Sequence, residues 1–524
     1  MAFLSFTNAA IEELQARLLS YGILTNPLFP SFIGTFDRFL WQFFIAPFGI
    51  EECDKTPQLV PDKSEWEVKP YSTAQPLKLK HFDRMTGTLL PEKALRAGFK
   101  AKANVRPWET TAQKIIVRAL TAGHVDFEDV RGFVRKRLTQ RSFADRLGAA
   151  LAGRFREIVI DEAQDCNPSD LEVVQWLRLS RLTTKVVCDP SQAIYGFRGG
   201  ITDELLKFGE GFKSDARLPM SGNFRSSPAI CAAISQLRPP AARGAPDTPL
   251  GEYKDDRTPV YLLAYGGTRV SAIIGQRFQA LAAELGISLE SAPVLASTWA
   301  SAGNAVGRSM PDPGNDKTLL LAEAVMGFHY AFGAGNRRGA LAHLHRAVLL
   351  VRGEIHNTGD YSTHVASNGL DDGRWRPGII EAGLKLQLRE SEKPEQWLQR
   401  ARNLLSSGLV GESRINQRLR NNAKLGEILA GGLPAPLPAQ TIHAVKGLQF
   451  PAVCVVLTAA NTGGIVDVLT GATVDAKLVE ETRKIYVAAS RAERLLAIAT
   501  PKNRVSALKT VLDKGGHPVQ VLGL

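Results

Sequence analysis

Residues 156–177, "REIVIDEAQDCNPSDLEVVQWL", constrain the fold more than any other stretch. Ile158, Val159 and Ile160 form an unbroken apolar run, the pattern of a strand covered on both faces of a parallel sheet. Two carboxylates, Asp161 and Glu162, end it. Asn167 and Pro168 then open a helix, one as a cap and the other as a first-turn proline. Open α/β sheets bind ligands at the carboxyl ends of such strands. A carboxylate there can hold Mg2+ on a nucleotide while its neighbour orients an attacking water. A bare Asp–Glu pair is more often a solvated strand-end turn, so the following segment decides its weight.

That segment is "KVVCDPSQAIYGFRGG" (185–200). It reads as a second apolar strand ending in a carboxylate, Asp189, with Gln192, Tyr195, Phe197 and Arg198 beyond it. The glutamine can sense a terminal phosphate or its water. The two rings can stack on unpaired bases, at ~1–3 kcal/mol each, although isolated aromatics are more often core. At the N-terminus, "MAFLSFTNAAIEELQARL" reads as a strand running into a helix, with Thr7 or Asn8 as cap and Glu12 and Glu13 in the first turn. Ile11, Leu14 and Leu18 share one face, and Gly22 ends the run.

With 524 residues the chain is too long for one ordinary core. Its composition, 44% hydrophobic and 22% charged, is that of a globular protein. The sequence has no membrane-spanning apolar run and no secretion signal. Five scattered cysteines without a CxxC pair argue for reduced thiols and a cytoplasmic location, against a zinc site or disulfide frame. A formal charge of +12 favours a polyanionic partner such as nucleic acid. Two Pro/Gly/Ala-rich stretches, 237–253 and 430–440, read as inter-domain connections. Between them lie strand-like "APVLAS" and long helical patterns, including "LLLAEAVMGFHYAF" and "RGALAHLHRAVLLV". Residues 46–120 are irregular and charged, like an insertion. The basic run "VRGFVRKRLTQR" (130–141) can touch phosphate, but a solvated helix face is the simpler reading.

The order of these segments resembles a superfamily 1A DNA helicase of the UvrD/Rep/PcrA type. "FTNAAIEELQARL" is similar to motif Ia, "GTFDRF" (34–39) to motif Ib, and "VIDEAQD" to motif II, the Walker B box. "VVCDPSQAIYGFRGG" resembles motif III and "LPMSGNFRSS" (218–227) motif IV. "QTIHAVKGLQF" (440–450) resembles motif V and "EETRKIYVAASRAERL" (480–495) motif VI. The resemblance implies an α/β fold of two RecA-like parallel-sheet domains with mainly helical insertions, ATP lying between the two domains. The first domain is expected over 1–45 and 121–236, with an insertion at 46–120. The second is expected over 254–325 and 436–524, with a compact helical insertion at 326–435.

The resemblance also implies roles. Asp161 resembles the Mg2+ carboxylate, Glu162 the hydrolytic base and Gln192 the γ-phosphate sensor. Arg225 and Arg491 resemble two arginines that meet the γ-phosphate. Phe6, Thr7 and Asn8 resemble residues that touch single-stranded DNA, with Tyr195, Phe197, His443 and Lys446 joining them along the strand. Three positions depart from the family pattern. Asp37 replaces a histidine in motif Ib, where a carboxylate would repel phosphate, so no DNA contact is carried over. Gln449 replaces the ribose-contacting glutamate of motif V and can still hydrogen-bond a nucleotide. Cys188 replaces a strand-end glycine.

The family further implies a strand, a GxxxxGK[ST] loop and a helix before motif Ia. These 524 residues contain no such loop, so the first domain is expected to lack its P-loop strand and helix. The nearest decoy, "GRSMPDPGNDKTLLL" (307–321), has Asp316 where glycine is required and reads as a surface loop entering a helix. A shortened gene reading, a second polypeptide and a degenerate helicase all fit. Opening the middle of a parallel sheet is expected to expose an edge and lower solubility. Two functions follow. One is an ATP-driven, Mg2+-dependent motor moving 3′→5′ on single-stranded or partly duplex DNA, in repair, recombination or phage defence. The other is a pseudo-helicase that grips single-stranded DNA or a nuclease or repair partner without turnover.

Overall fold

The computed structural model describes the chain apart from residues 24–27, 52, 54, 61, 100–103, 195–201, 308–313, 334–336, 357–359, 362–363, 366–367, 371–372, 431–436 and 473–474. Its contacts form two units. Met1–Asp161, Ser169–Val186 and Pro313–Leu425 make the first, and Glu162–Pro168, Val187–Asp312 and Gly426–Leu524 the second.

The first unit holds a four-stranded parallel sheet. Its strands are β1 (Ala2–Ser5), β2 (Phe32–Thr35), β3 (Glu157–Ile160) and β4 (Thr183–Val186), in the order β2-β1-β3-β4. Strand β1 is interior, with Ala2 opposite Phe32 on one side and Ile158 on the other. The sheet's edges are β2 and β4. Strand β4 departs from the expected apolar pattern, because Thr183 and Lys185 are exposed and Cys188 beyond it is exposed too. Polar side chains alternating outward suit an edge strand.

Thr7 caps the helix Asn8–Ser20 by accepting from the Ala10 N–H at 3.3 Å. The helix therefore starts at Asn8, and Glu12 and Glu13 fall in its second turn rather than its first; Glu13 pairs with Arg17. Gly22, at φ 67°, turns the chain left-handed after the last turn, a conformation glycine adopts without steric cost.

Residues 68–116 carry a core of their own around Val68, Leu77, Phe82, Trp108 and Ile116. Beside it Lys63, Arg84, Asp126 and Asp129 form a buried ion cluster, Asp126 and Asp129 also building the capping box of the helix Phe127–Leu138. That helix carries most of the basic run, which divides: Arg135 and Lys136 are exposed as on a solvated face, while Arg131 and Arg137 turn inward. Arg131 binds Asp37 at 2.5 Å and Asp170 at 2.8 Å. Arg137 is buried and donates to the carbonyls of Phe44 (2.6 Å) and Gly49 (2.8 Å). Asp37, the motif Ib departure, is thus an ion-pair partner.

Helices Lys317–Gly333 and Arg337–Arg352 pack together as the long apolar patterns require. Asp316 caps the first by accepting from the Thr318 and Leu319 N–H groups. The described part of the 307–321 decoy is therefore a helix cap. Farther along, the His345 ring stacks on Trp375, centroids 3.9 Å apart, with Nδ1 3.0 Å from the Tyr361 hydroxyl.

The second unit holds a six-stranded, all-parallel sheet: β5 (Val260–Tyr265), β6 (Val294–Ala296), β7 (Ala439–Thr441), β8 (Phe450–Val456), β9 (Ala492–Pro501) and β10 (Val519–Gly523), ordered β7-β6-β8-β9-β5-β10. Both faces are covered. Along β9, Leu496 and Ile498 join one core while Leu495, Ala497 and Ala499 join the other, the period-2 alternation of a buried strand.

The helix Pro228–Gln236, expected with the first domain, packs in the second unit instead. Its Ala229, Ile230, Ala233 and Ile234 bury against Val260, Leu262 and Leu496, and the Ser227 N–H donates to the Glu493 carbonyl at 2.8 Å. A helix this apolar needs a two-sided sheet to cover it. The stretch 237–253 therefore lies inside this unit, where Thr248–Pro249 pairs with Gly222–Asn223. Among the described residues no helix is long and apolar enough to cross a membrane.

Candidate active site

Strand β3 delivers the two carboxylates. The Asp161 N–H donates to the Leu4 carbonyl at 2.8 Å, which closes the strand. At Glu162 the backbone turns left-handed (φ 56°, ψ 36°). For a residue with a side chain this costs roughly 1–2 kcal/mol and points to a constraint worth holding. The short 3-10 turn Ala163–Asp165 follows.

Gln164 lies buried in that turn and joins two motifs. Its Nε2 donates to the Glu162 carboxylate, and its Oε1 accepts from the Asp189 N–H at 3.0 Å. Asp189 caps the 3-10 turn Pro190–Gln192, accepting from the Ser191 N–H at 2.9 Å and from Gln192 Nε2 at 3.1 Å. Gln192 Oε1 in turn accepts from Arg491 Nη2 at 2.9 Å.

Arg491 is buried and also donates to the Val487 carbonyl and Ser490 Oγ. Burial and, next, the repulsion of Arg225 pull its pKa down to about 10, with Glu162 among the anions that act against the fall. Two guanidinium groups are thus held close enough to repel each other. Arg225 donates through Nε to Gln449 Oε1 (3.1 Å) and through Nη1 to the Ser490 carbonyl (3.0 Å). Its loop is fastened by Asn223, which accepts from the Arg225 and Ser226 N–H groups, and by Ser226 Oγ on the Ala492 carbonyl at 2.7 Å.

Lys446 departs from its expected place on the DNA path. Its side chain is 1% exposed. The ammonium donates to both Asp165 oxygens (2.6 and 2.7 Å) and to the Gln192 carbonyl (3.1 Å), and lies 4.0 Å from Glu162. Burying an ammonium is costly unless it is paired, and Asp165 supplies the pair. His443 is partly buried with Nε2 3.3 Å from the Ile194 carbonyl; burial and then Lys484 lower its pKa.

Glu162, Gln192, Arg225, Gln449, Lys446 and Arg491 therefore belong to one hydrogen-bonded network within the second unit. Phe6, Thr7 and Asn8 belong to the first. Phe6 stacks on Phe36 (centroids 5.2 Å apart), Thr7 is a helix cap, and Asn8 is exposed. Tyr195 and Phe197 lie outside the described residues. Sequence reasoning passed over Gln164, Asp165 and Tyr486, and read Asp189 only as a strand-end carboxylate, which the Tyr486 hydroxyl reaches at 2.7 Å. It also passed over Phe224, a ring 75% exposed next to Arg225 in sequence; an aromatic residue flanking a candidate site arginine was the signal that could have found it.

The UvrD/REP helicase N-terminal domain family matches residues 1–213, and the UvrD-like helicase C-terminal domain family matches residues 422–503. Together they take in more than half of the chain. Among curated proteins, an ATP-dependent helicase/nuclease polypeptide of Lactobacillus acidophilus is 36% identical over 90 residues, 16% of this chain and 8% of that protein. The RecB polypeptide of the RecBCD enzyme of Mycobacterium tuberculosis is 34% identical over 99 residues, 18% of this chain and 8% of RecB. The ATP-dependent DNA helicase Rep of Escherichia coli is 34% identical over 84 residues, 16% of this chain and 12% of Rep. The matched stretches thus span a small part of each relative. Motif order, two parallel sheets and both family matches agree: the chain belongs to the UvrD/Rep-type family of superfamily 1 helicases.

Proposed function

We propose that the protein is an ATP-driven motor that moves 3′→5′ along single-stranded DNA and separates strands, in repair, recombination or phage defence. The observation that carries this reading is the Gln192–Arg491 bond with Arg225 close enough to depress the Arg491 pKa. Two neighbouring guanidinium groups, one of them bonded to a polar sensor, offer a seat for a polyanion such as a triphosphate. An anion brought beside them offsets both the burial and the repulsion.

In this reading Glu162 takes the proton of the attacking water, a role worth roughly 10²–10⁴ in rate. Gln192 turns its amide to the terminal phosphate. Arg225 and Arg491 hold the charge that develops on the transferred group. Gln449 and the exposed Phe224 ring offer the nucleoside a hydrogen-bond partner and a stacking face. Asp161 offers hard carboxylate oxygens at the carboxyl end of a parallel strand, the donor type Mg2+ prefers, and would hold that ion. When bound, Mg2+ neutralises part of the phosphate charge. Phe6, Thr7, Asn8 and His443 are assigned to the DNA, with Tyr195 and Phe197 assigned from sequence. A nuclease or repair protein is the proposed partner, supported by relatives whose names are those of helicase/nuclease and RecBCD components.

The test is ATP hydrolysis by the full-length protein with and without single-stranded DNA. We expect DNA to stimulate turnover and Glu162→Gln to abolish it while nucleotide binding persists. Unchanged hydrolysis in that variant refutes the assigned base. Strand displacement should start from a 3′ tail, and a 5′-tail preference would reverse the polarity. Binding to single-stranded DNA should weaken steadily as salt rises, because released counterions drive it.

A further inference from the structure

Tyr486 lies on the helix Ala476–Ala489 with 3% of its surface exposed. Among the described residues its hydroxyl has two polar partners. It donates to Asp189 Oδ2 at 2.7 Å and accepts from Arg238 Nη2 at 2.7 Å. The Arg238 guanidinium also lies over the Tyr486 ring, 5.1 Å from its centroid. Burial and, next, Asp189 push the phenol pKa above its ordinary value, so the hydroxyl keeps its proton.

Asp189 Oδ2 takes a second bond, from Gln192 Nε2 at 3.1 Å. An ionised carboxylate only accepts and a guanidinium only donates. The Gln192 amide therefore fits one way round, its nitrogen to Asp189 and its oxygen to Arg491. Arg491 Nε closes the circuit on the Val487 carbonyl at 3.1 Å, one residue from Tyr486. The circuit Tyr486–Asp189–Gln192–Arg491–Val487 thus grips the sensor from both ends. Removing the phenol hydroxyl would leave the ring packed while Asp189 lost one of its donors. Linked hydrogen bonds in a buried setting reinforce one another, so the loss would pass along the chain.

We propose that Tyr486 is a positioning residue that, through Asp189, fixes the orientation in which Gln192 meets the terminal phosphate. Tyr486 does not touch the ligand. This assignment rests on the nucleotide-hydrolysing reading of the site.

The test is a double-mutant cycle of Tyr486→Phe and Gln192→Ala in the full-length protein. Tyr486→Phe should lower DNA-stimulated kcat ~10-fold with the KM for ATP within ~2-fold. Gln192→Ala should lower kcat ~100-fold, and the double variant should fall no more than ~2-fold further, because residues acting as a unit are not additive. Losses that multiply to ~1,000-fold would show a merely structural tyrosine and overturn the assignment. The same four proteins are unfolded in urea, which needs no turnover. The two side chains should couple by ~3-fold in the unfolding equilibrium, although Asp189 stands between them. Strict additivity there overturns the relay. An unaltered protein that hydrolyses no ATP refutes the proposed function, and the urea cycle still decides whether Tyr486 holds Gln192.

Discussion

Two buried polar clusters in this chain use the same residue types to opposite ends. In the first unit, Lys63 and Arg84 meet Asp126 and Asp129. Burial works against the Arg84 charge, but the two carboxylates outweigh it and raise its pKa above the ordinary value. In the second unit, burial and the neighbouring Arg225 lower the Arg491 pKa to about 10. The first cluster sets two cations on two anions, although burial and Asp126 still push the Asp129 pKa up. The second stores repulsion. A buried cation held against its own preference suits the proposed function, in which the nucleotide's charge would complete the balance.

The largest effect that separates the two is on stability. Arg84→Ala leaves Asp126 and Asp129 short of a cation and should cost about 3–5 kcal/mol in urea unfolding. A loss under about 1 kcal/mol would mean that this cluster, too, is incomplete. A second effect comes from His345, which burial, with His364 and Arg352, holds at a pKa of about 4. The unfolded chain takes up that proton near pH 6.5. Between pH 6.5 and about 4 it therefore binds more protons than the folded chain, and stability falls as pH falls. The expected loss is about 1–2 kcal/mol from pH 7.5 to pH 5, and His345→Gln should flatten the slope. An equally steep slope in that variant would put the titration elsewhere.

Asp37→Asn removes one of two carboxylates from Arg131 and should cost about 1 kcal/mol, with DNA affinity unchanged. Tighter DNA binding in that variant would revive position 37 as a phosphate neighbour. The smallest effect belongs to Arg135 and Glu172, paired at 2.6 Å but both about half exposed. Glu172→Gln should shift stability by no more than about 0.5 kcal/mol.

The sequence made the strand–carboxylate–helix unit at 158–168 legible because its signals are local: an apolar run, an acid pair and an N1 proline. The long helices from Lys317 showed themselves by the same kind of local pattern. Gln192 was singled out from its own strand-end segment, whereas Arg225 and Arg491 were assigned through the order of family segments, since nothing in their immediate surroundings distinguishes them. What stayed hidden depends on distant pairings. Tyr486 meets Asp189 across 297 residues, and read alone each is a core ring or a turn cap. Lys446 was assigned to the DNA through the resemblance of its segment to motif V, but it is buried against Asp165, 281 residues away. Pro228–Gln236 was placed with the wrong sheet because an apolar helix does not announce which sheet it covers. Likewise β4 read as a buried strand although its alternate residues, Thr183 and Lys185, face out as on an edge.

The contrast between the two clusters is tested most directly by Arg491→Ala in the full-length protein, with DNA-stimulated ATP turnover and urea stability measured on the same samples. Turnover should fall about 10³-fold, while stability falls by less than in Arg84→Ala, because relief of the repulsion with Arg225 offsets part of the lost hydrogen bonds. Turnover within about 3-fold of the unaltered protein, joined to a stability loss like that of Arg84→Ala, would show that Arg491 is a structural ion and contradict the account.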